Sequence, residues 1–488
     1  MSLSKQKDKK IGIFGLGITG TSVYKKLINI AEKLICWDDS EINKEAFITE
    51  FGKQNLLPID DNKWIKLDKI IVSPGVSHTH QIFWLASKNK IPITSDIELF
   101  IEENSKSEFI FITGTNGKST VTALTGHILE QAGFDYHIGG NIGTAVMSLP
   151  NNRKGYIFEL SSFQIELLKK INPKISVITN ITPDHLGRHG TIETYATIKE
   201  RIFTPDAIKI IGINSIISRN IYDKFKKQSD SKIVPIYTSE KITGGIFCND
   251  NYLRDNTEDI EGYRDDNKVY SDVIDANCQN NPNNKLLSNP LEIEFPLPSL
   301  QHLQGHHNKE NIAIAYAICR ALLVPSSFII KSLESFKGLD HRMQFIGSYK
   351  NINFYNDSKA TNISSSLASL SAFNDIIWFA GGKFKEDSFD DLQPILKNIK
   401  KAYFFGESKN LFAKFLDSNQ KSKPEYEVCE DLEEAFVRSI EYSKNKTDKF
   451  TFLLAPACAS YDQFKNFEER GKLFVKLVQN IGVKSDTL

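Results

Sequence analysis

Nine consecutive residues, ITGTNGKST from Ile112 to Thr120, place two glycines, a lysine and two adjacent hydroxyls where an apolar strand pattern, FIFITG, gives way to a helical one. Gly114 and Gly117 let the backbone turn tightly, so that successive amide N–H groups and the following helix N-terminus converge on phosphate oxygens. Lys118 then bridges phosphates, and Ser119 or Thr120 ligates Mg²⁺, with Thr115 and Asn116 completing the loop. Ile112 stands where the first glycine of GxxxxGK[ST] is usual, so this is a variant loop. A glycine-rich turn with a solvated lysine has the same composition. The position between strand and helix favours phosphate binding.

A second glycine pattern, GLGITG with Gly15, Gly17 and Gly20, follows the first apolar run, and Asp38 lies 18 positions beyond Gly20. Alone it reads as a dinucleotide loop, with an acid at the end of the next strand for a ribose. A lone GxGxxG is a weak signal.

The elements that must hold these loops alternate strand and helix. IGIFGLG, KLICWDD, KIIVSPG and KIPITSD give a βαβ rhythm over the first hundred residues. After FIFITG, the helix STVTALTGHILEQAG puts Val121, Leu124, Ile128 and Leu129 on one face and ends at Gly133. YIFEL and ISVITN read as buried strands and ENIAIAYAICRALLV as an apolar helix. Residues 215–300 turn polar, including NNPNNK, and predict loops and short strands with little core periodicity. From about 338, NINFYNDS, DIIWFAGG, KAYFFGES and KFTFLLAPA form a third alternating series. The expected fold is α/β in three domains: 1–100 Rossmann-like, 101–337 a central P-loop mononucleotide-binding domain, and 338–488 again Rossmann-like.

A chain of 488 residues exceeds one ordinary core, in keeping with that division. Sixty Lys plus Arg balance sixty Asp plus Glu, so no basic field points to nucleic acid. Cys36, Cys248, Cys278, Cys319, Cys429 and Cys458 are scattered, without metal-ligand spacing, and suit a reducing compartment; Cys458 reads as a small buried residue and no nucleophile. No apolar run approaches the roughly 18 residues of a membrane span, and the basic start MSLSKQKDKK lacks the rest of a signal peptide. A cytoplasmic protein without membrane association is expected.

TGTNGKST resembles the phosphate loop of the Mur ligases, and further blocks match that family in order: GLGITG, SPGVS, SDIELF, GGNIG, ELSSFQIE, TNITPDHL, YATIKERIF, GHHNKEN, HRMQF, NDSKATN and PACASYDQFKNFEERG. The last two resemble the D-glutamate-adding branch specifically. The resemblance implies ATP-dependent joining of D-glutamate to UDP-N-acetylmuramoyl-L-alanine through an acyl phosphate, in peptidoglycan precursor synthesis, by a protein expected to be a monomer. A carboxylate is a poor electrophile, which is why such a reaction needs phosphoryl activation. The anionic substrates can approach only among cations, here Lys118 and Mg²⁺ at two expected sites.

The same resemblance implies the remaining roles. Glu159 and His185 match metal ligands, and Lys199 matches a lysine carbamylated to hold the second metal. Taken singly, these three are better read as a strand-end acid, a loop histidine and a solvated lysine; the ordered set of motifs reverses that preference. Asn308, Asn311, Arg342 and Asp357 match contacts to ATP, a placement that makes chemistry depend on domain closure. Thr19, Asp38, Asp39 and Ser73, with Gly15 and Gly17, match the UDP site, and Asn141, Ser162 and Gln164 the path toward the phosphate loop. Lys359, Thr361, Lys385, Ser460 and Phe467 match contacts to D-glutamate, whose two carboxylates call for cationic and hydroxyl donors; Phe467 suits a core position nearly as well.

Three features depart from the family pattern: Gly187 in PDHLGRHG where an acid is usual, Lys383 and Phe384 after the glycine pair of AGGKFKED, and the polar insert at 250–290. Competing readings are another ligase of the superfamily, opposed by NDSKATN; an NAD-dependent oxidoreductase, which leaves GKST unexplained; and a nucleotide-binding switch without chemistry.

Overall fold

A computed structural model describes residues 4–228, 232–239, 244–257, 293–298, 300–385, 388–418 and 423–483. Most of the polar insert, and Cys278 with it, lies outside the described residues. The chain forms two compact units: Met1–Phe247 with Arg254–Ile293 and Ala313–Ile329, and Cys248–Leu253 with Glu294–Ile312 and Ile330–Leu488.

The first unit opens with β1 (Lys10–Phe14), α1 (Ile18–Leu27), β2 (Lys33–Trp37), α2 (Glu41–Phe51), β3 (Lys69–Val72), α3 (Gln81–Lys88), β4 (Ile93–Thr94) and α4 (Asp96–Glu103). Its four strands are parallel in the order β2-β1-β3-β4. The strand order reverses between β1 and β3, so the loops leaving their C-terminal ends flank a crevice. Gly20 packs so closely that a Cβ there would lie 1.8 Å from the carbonyl oxygen of Gly15, which draws α1 tight against the glycine loop.

A second parallel series follows: β5 (Glu108–Thr113), α5 (Lys118–Gln131), β6 (Tyr136–Gly140), β7 (Gly155–Glu159), α6 (Ser162–Leu167), β8 (Ile175–Ile178), α7 (Leu186–His189), α8 (Ile192–Glu200), β9 (Ile208–Gly212), α9 (Ile216–Lys227), β10 (Ile233–Tyr237) and β11 (Ile246–Cys248). In the sheet they run β11-β10-β9-β8-β5-β7-β6, with β5 between β7 and β8. Val121, Leu124, Ile128 and Leu129 of α5 are fully buried, as their spacing predicts. The expectation of loops and short strands from 215 needs correction: α9 is an amphipathic helix burying Ile221 and Tyr222, and every residue of β10 is buried. IVPIY is too short and too apolar to show a period, and a central parallel strand needs none. Phe100 of α4 meets Tyr156 edge-on at 4.8 Å, inside a core shared by both sheets.

Two short strands, β12 (Tyr252–Asp255) and β13 (Ile293–Pro296), precede the helix His306–Ala321. The second unit then builds β14 (Gln344–Tyr349), β15 (Ile352–Asn356), β16 (Ile376–Gly381), β17 (Ile399–Phe405), β18 (Glu425–Val428) and β19 (Phe450–Leu454). The order is β14-β15-β19-β16-β17-β18, parallel except for the antiparallel β14. Aromatic side chains fill both faces, among them fully buried Trp378 and Phe452. Among the described residues no helix is long and apolar enough to cross a membrane.

Candidate active site

In the first unit, the loops after β1 and β3 and those after β5, β6, β7 and β8 open on one cavity of about 930 Å³. Gly15, Gly17, Thr19, Asp38, Asp39 and Ser73 line one part of it. Gly114, Lys118, Asn141, Ser162, Gln164, His185 and Lys199 line another, so the UDP-site and phosphate-loop residues expected from the sequence face the same space.

The phosphate loop is fixed by its own glycines and by contacts to its neighbours. Gly117 caps α5 at φ +81°, and a Cβ on Gly114 would strike Thr179 Oγ1 at 1.9 Å, so both positions require glycine. The stretch after β8 pins the loop: Thr115 N donates to the Asn180 carbonyl at 2.8 Å, and Asn116 N to Asn180 Oδ1 at 2.9 Å. Lys118 Nζ donates back to the carbonyls of Gly114 and Thr115, at 3.0 and 2.7 Å.

Glu159, buried at the end of β7, accepts from Ser119 Oγ at 2.6 Å through one carboxylate oxygen and from Asn141 Nδ2 at 2.9 Å through the other. A carboxylate beside a hydroxyl at a phosphate loop is a hard oxygen donor set, which suits Mg²⁺. Thr120 follows in the first turn of α5. His185 sits in the left-handed region at φ +53°, half exposed, with Nε2 3.5 Å from Asp184 Oδ2. Among the described residues no three His, Cys, Asp or Glu side chains converge on one point.

Lys199 is 1% exposed, and its Nζ donates to Thr113 Oγ1 at 3.1 Å and to the Gly114 carbonyl at 2.9 Å. Burial holds its pKa well below the lysine range, Lys118 adds to that, and Asp184 and Glu159 oppose it. The amine is thereby biased toward its neutral, nucleophilic form.

Among the residues expected at the UDP site, Asp38 accepts from Leu16 N at 2.5 Å, Ser40 N at 2.7 Å and Asn43 Nδ2 at 3.0 Å, so its carboxylate shapes the glycine loop. Ser73 Oγ donates to the Gly15 carbonyl at 2.8 Å, and Asp39 meets His80 at 2.9 Å. Gln164 forms a capping box with Ser161 at the start of α6.

In the second unit, the loops after β15, β16 and β19 carry the residues expected to meet D-glutamate. Lys359 Nζ lies 3.9 Å from the centroid of the Phe467 ring, and Lys385 Nζ 5.3 Å from that of Tyr461. Phe467 is half-buried, between the core and contact roles its sequence allowed, and Ser460 is buried. Thr361 follows Lys359 in the same loop, its N–H bonded to the Lys359 carbonyl at 2.8 Å. Asp357 accepts from Met343 N at 3.2 Å and from Ser369 Oγ, and burial pushes its carboxyl up to about 6. Asn308 and Asn311 are buried and bonded to each other at 2.8 Å.

Two departures from the family pattern acquire a local account. A Cβ on Gly187 would meet nothing within 4 Å, so packing does not demand glycine there. Phe384 stacks on Phe389 at 4.2 Å, and Lys383 bridges to Ala459 through backbone hydrogen bonds of 2.7 and 3.1 Å.

Sequence reasoning passed over Tyr195, His189, Glu166 and Arg470. Each lies inside or beside a quoted motif, but its role depends on what it touches. Arg470, the arginine of NFEERG, is fully buried and reaches Ser358, Gly381 and Cys458.

Strand-end glycine loops, a pinned phosphate loop with a buried acid beside its serine, and a second nucleotide-type crevice on the same cavity define an α/β nucleotide-binding protein of the P-loop kind. Residues 112–319 match the family profile described as the Mur ligase middle domain, and 341–458 that described as Mur ligase, glutamate ligase domain. The chain is similar to the UDP-N-acetylmuramoylalanine–D-glutamate ligase of Rickettsia prowazekii, 41% identical over 97% of this chain and 99% of the relative. That of Wolbachia pipientis is 36% identical, over 99% and 98%. Among solved structures, UDP-N-acetylmuramate-alanine ligase from Thermotoga maritima shares the fold, with a TM-score of 0.55, 18% identity and coverage of 97% of this chain and 100% of that one. The chain belongs to the Mur ligase family, and within it to the UDP-N-acetylmuramoylalanine–D-glutamate ligases.

Proposed function

We propose that this chain joins D-glutamate to UDP-N-acetylmuramoyl-L-alanine at the expense of ATP, through an acyl phosphate, releasing ADP and phosphate in peptidoglycan precursor synthesis. The observation that carries this reading is the single cavity on which the UDP-type loop, Lys118 and Lys199 open, with the bonded pair Ser119 and Glu159 beside the loop. Residues 1–100 bind the UDP moiety, 101–337 bind ATP, and 338–488 bind the incoming amino acid.

In this reading Gly15, Gly17, Thr19, Asp38, Asp39 and Ser73 hold the UDP moiety, and Asn141, Ser162 and Gln164 direct the alanyl carboxylate toward the phosphate loop. Gly114 to Thr120 wrap the triphosphate, and Lys118 leaves its carbonyl partners to neutralise the oxygens between which the phosphoryl group passes. Asn308, Asn311, Arg342 and Asp357 complete the ATP contacts. Ser119, Thr120 and Glu159 would hold one Mg²⁺, and His185 with a carbamylated Lys199 a second, where the ions would supply charge screening for the anionic substrates. Lys199 is suited to carbamylation because burial favours the neutral amine, which can add to CO₂ with release of a proton, and the resulting carboxylate would supply an oxygen donor. Lys359, Lys385, Thr361 and Ser460 face the carboxylates of D-glutamate, with Phe467 against its methylenes. The amine attacks the acyl phosphate through a tetrahedral intermediate, and phosphate leaves.

The enzyme works in the cytoplasm as a monomer, on small molecules, without nucleic acid or membrane. The deciding assay measures phosphate release from ATP with UDP-N-acetylmuramoyl-L-alanine present, comparing D-glutamate, L-glutamate and no amino acid. Release only with D-glutamate is expected. Release independent of amino acid would overturn the assignment in favour of a nucleotide hydrolase or switch.

A further inference from the structure

Arg188, in the short helix α7, is a half-buried cation that the reaction scheme above does not use. Its Nη2 donates to two acceptors on different parts of the first unit: Glu166 Oε2 in α6 at 2.9 Å, and the Val76 carbonyl in the loop after β3 at 3.3 Å. The guanidinium also lies over the Phe163 ring, 4.1 Å from its centroid. Val76 and Phe163 both line the large cavity, and Phe163 packs against His185 at 5.0 Å.

These contacts join two walls that belong to different sheets. One wall is the turn Ser73–Val76, which follows β3. Val76 N closes it by donating to the Ser73 carbonyl at 3.1 Å, and Ser73 Oγ donates to the Gly15 carbonyl at 2.8 Å. A Cβ on Gly15 would come within 2.7 Å of Ser73 Cβ and 3.3 Å of a Val76 methyl, so the turn and the glycine loop pack as one piece. The other wall is α6, whose first turn carries Ser162 and Gln164 and is tied to Ser161 by the capping box. Each wall holds itself together without Arg188; what the guanidinium adds is their separation. A planar fork resting on an aromatic ring fixes both distance and direction, which a single flexible ammonium does not.

We propose that Arg188 is a positioning residue for the sugar nucleotide: it sets the span between the turn that meets the UDP moiety and the helix that directs the alanyl carboxylate, so that one molecule reaches both at once. The inference rests on the proposed function and deepens it. UDP alone touches the first wall, whereas UDP-N-acetylmuramoyl-L-alanine bridges the two, so only the longer molecule gains from a preset span. Without Arg188 that molecule must itself order the walls as it binds, and its affinity falls while that of UDP holds.

The test compares Arg188→Met, Arg188→Lys, Arg188→Ala and Glu166→Ala in the full chain, with UDP, UDP-N-acetylmuramoyl-L-alanine and ADP as separate calorimetric probes. Arg188→Met should bind the sugar nucleotide about ten-fold more weakly, the scale of one lost charge-assisted hydrogen bond, with UDP and ADP within about three-fold of wild type. ADP binding shows that a variant is folded. Arg188→Lys keeps the charge without the fork and should fall between, and it carries the comparison if the Met variant does not fold. Glu166→Ala removes one anchor and should weaken the sugar nucleotide in the same sense, and Glu166→Ala/Arg188→Met should lose no more than Arg188→Met alone, since both cut one connection. Arg188→Ala opens space beside a cavity of about 370 Å³ that Arg188 and Glu166 line, so methylguanidinium, and not sodium at equal ionic strength, should restore part of the affinity. The proposal is overturned if UDP and the sugar nucleotide weaken by the same factor, if Arg188→Met binds the sugar nucleotide as tightly as wild type, if methylguanidinium restores nothing, or if the two single effects add. The ligase reading is judged separately, by D-glutamate-dependent phosphate release from the wild type, so the failure of either is recognisable.

Discussion

Arg470 offers a sharp test of how the second unit positions the residues proposed to meet D-glutamate. Its guanidinium is fully buried and makes four hydrogen bonds: Nε to Ser358 Oγ at 3.0 Å, Nη1 to the Gly381 carbonyl at 3.2 Å, and Nη2 to the carbonyls of Ser358 and Cys458 at 2.9 and 3.1 Å. Those acceptors lie at the C-terminal ends of β15, β16 and β19, in the loops that carry Lys359, Lys385 and Ser460. Burial lowers the guanidinium pKa only to about 10, so it stays charged at neutral pH. Arg470→Met keeps the length and removes every donor, leaving three buried carbonyls to find new partners at about 1–3 kcal/mol each. Relief of the charge's own desolvation offsets part of this, so a net loss of about 3–5 kcal/mol is expected, with the KM for D-glutamate raised about ten-fold or more. Arg470→Lys, a point donor in place of a fork, should fall between. Urea unfolding and steady-state kinetics at fixed sugar nucleotide provide the assay. A Met variant that unfolds at the wild-type midpoint with an unchanged KM for D-glutamate would refute the reasoning.

Lys199→Ala should lose most activity and regain part of it with added short carboxylates, whereas Lys118→Ala should gain nothing from them; bicarbonate depletion of the wild type provides the companion measurement. Glu159→Gln keeps the bonds to Ser119 and Asn141 possible but removes a charge, and should lower kcat about 100-fold or more and shift the Mg²⁺ requirement upward, read by metal titration. Asp357 has its folded pKa raised from the ordinary 3.8 to about 6, so the native state binds more protons than the unfolded chain in that window, and stability falls as pH rises through it before levelling off. Asp357→Asn should therefore match wild type in thermal melts near pH 3.5 and exceed it by up to ~3 kcal/mol above pH 7, an upper bound taken at 1.36 kcal/mol per unit.

The strand-to-helix glycine loops were legible because their chemistry is local: a positive φ at Gly117 and a contact distance at Gly20 restrict the residue type whatever the rest of the fold does. Segment 216–237 was misjudged because its polar surroundings masked a short buried strand. β14 and β18 escaped notice because polar residues interrupt their apolar character. The pairing of Ser162 with His189 could not be read at all. Ser162 and His189 are 27 positions apart, and they meet because β7 and β8 flank β5, which brings the start of α6 beside the end of the short helix α7. Arg470 was equally opaque, since an arginine in a polar run has the sequence signature of a solvated one, and only the three converging loops make it internal.

In the second unit one reversal of strand direction has a chemical consequence. Parallel strands place their C-terminal ends at one sheet edge, where ligand-bearing loops gather. β14 runs the other way, with Gln344 opposite Asn356, so its beginning, and not its end, lies at that edge. The antiparallel pairing therefore carries Arg342, two residues before β14, to the same edge as Asp357 just after β15, and Met343 N closes the junction by donating to the Asp357 carboxylate. Had β14 been parallel, the HRMQF and NDSKATN motifs would sit at opposite ends of the sheet. A cation and an acid 15 positions apart in sequence thus share one edge through strand direction, which gathers residues proposed to meet ATP and residues proposed to meet D-glutamate at one edge of the sheet.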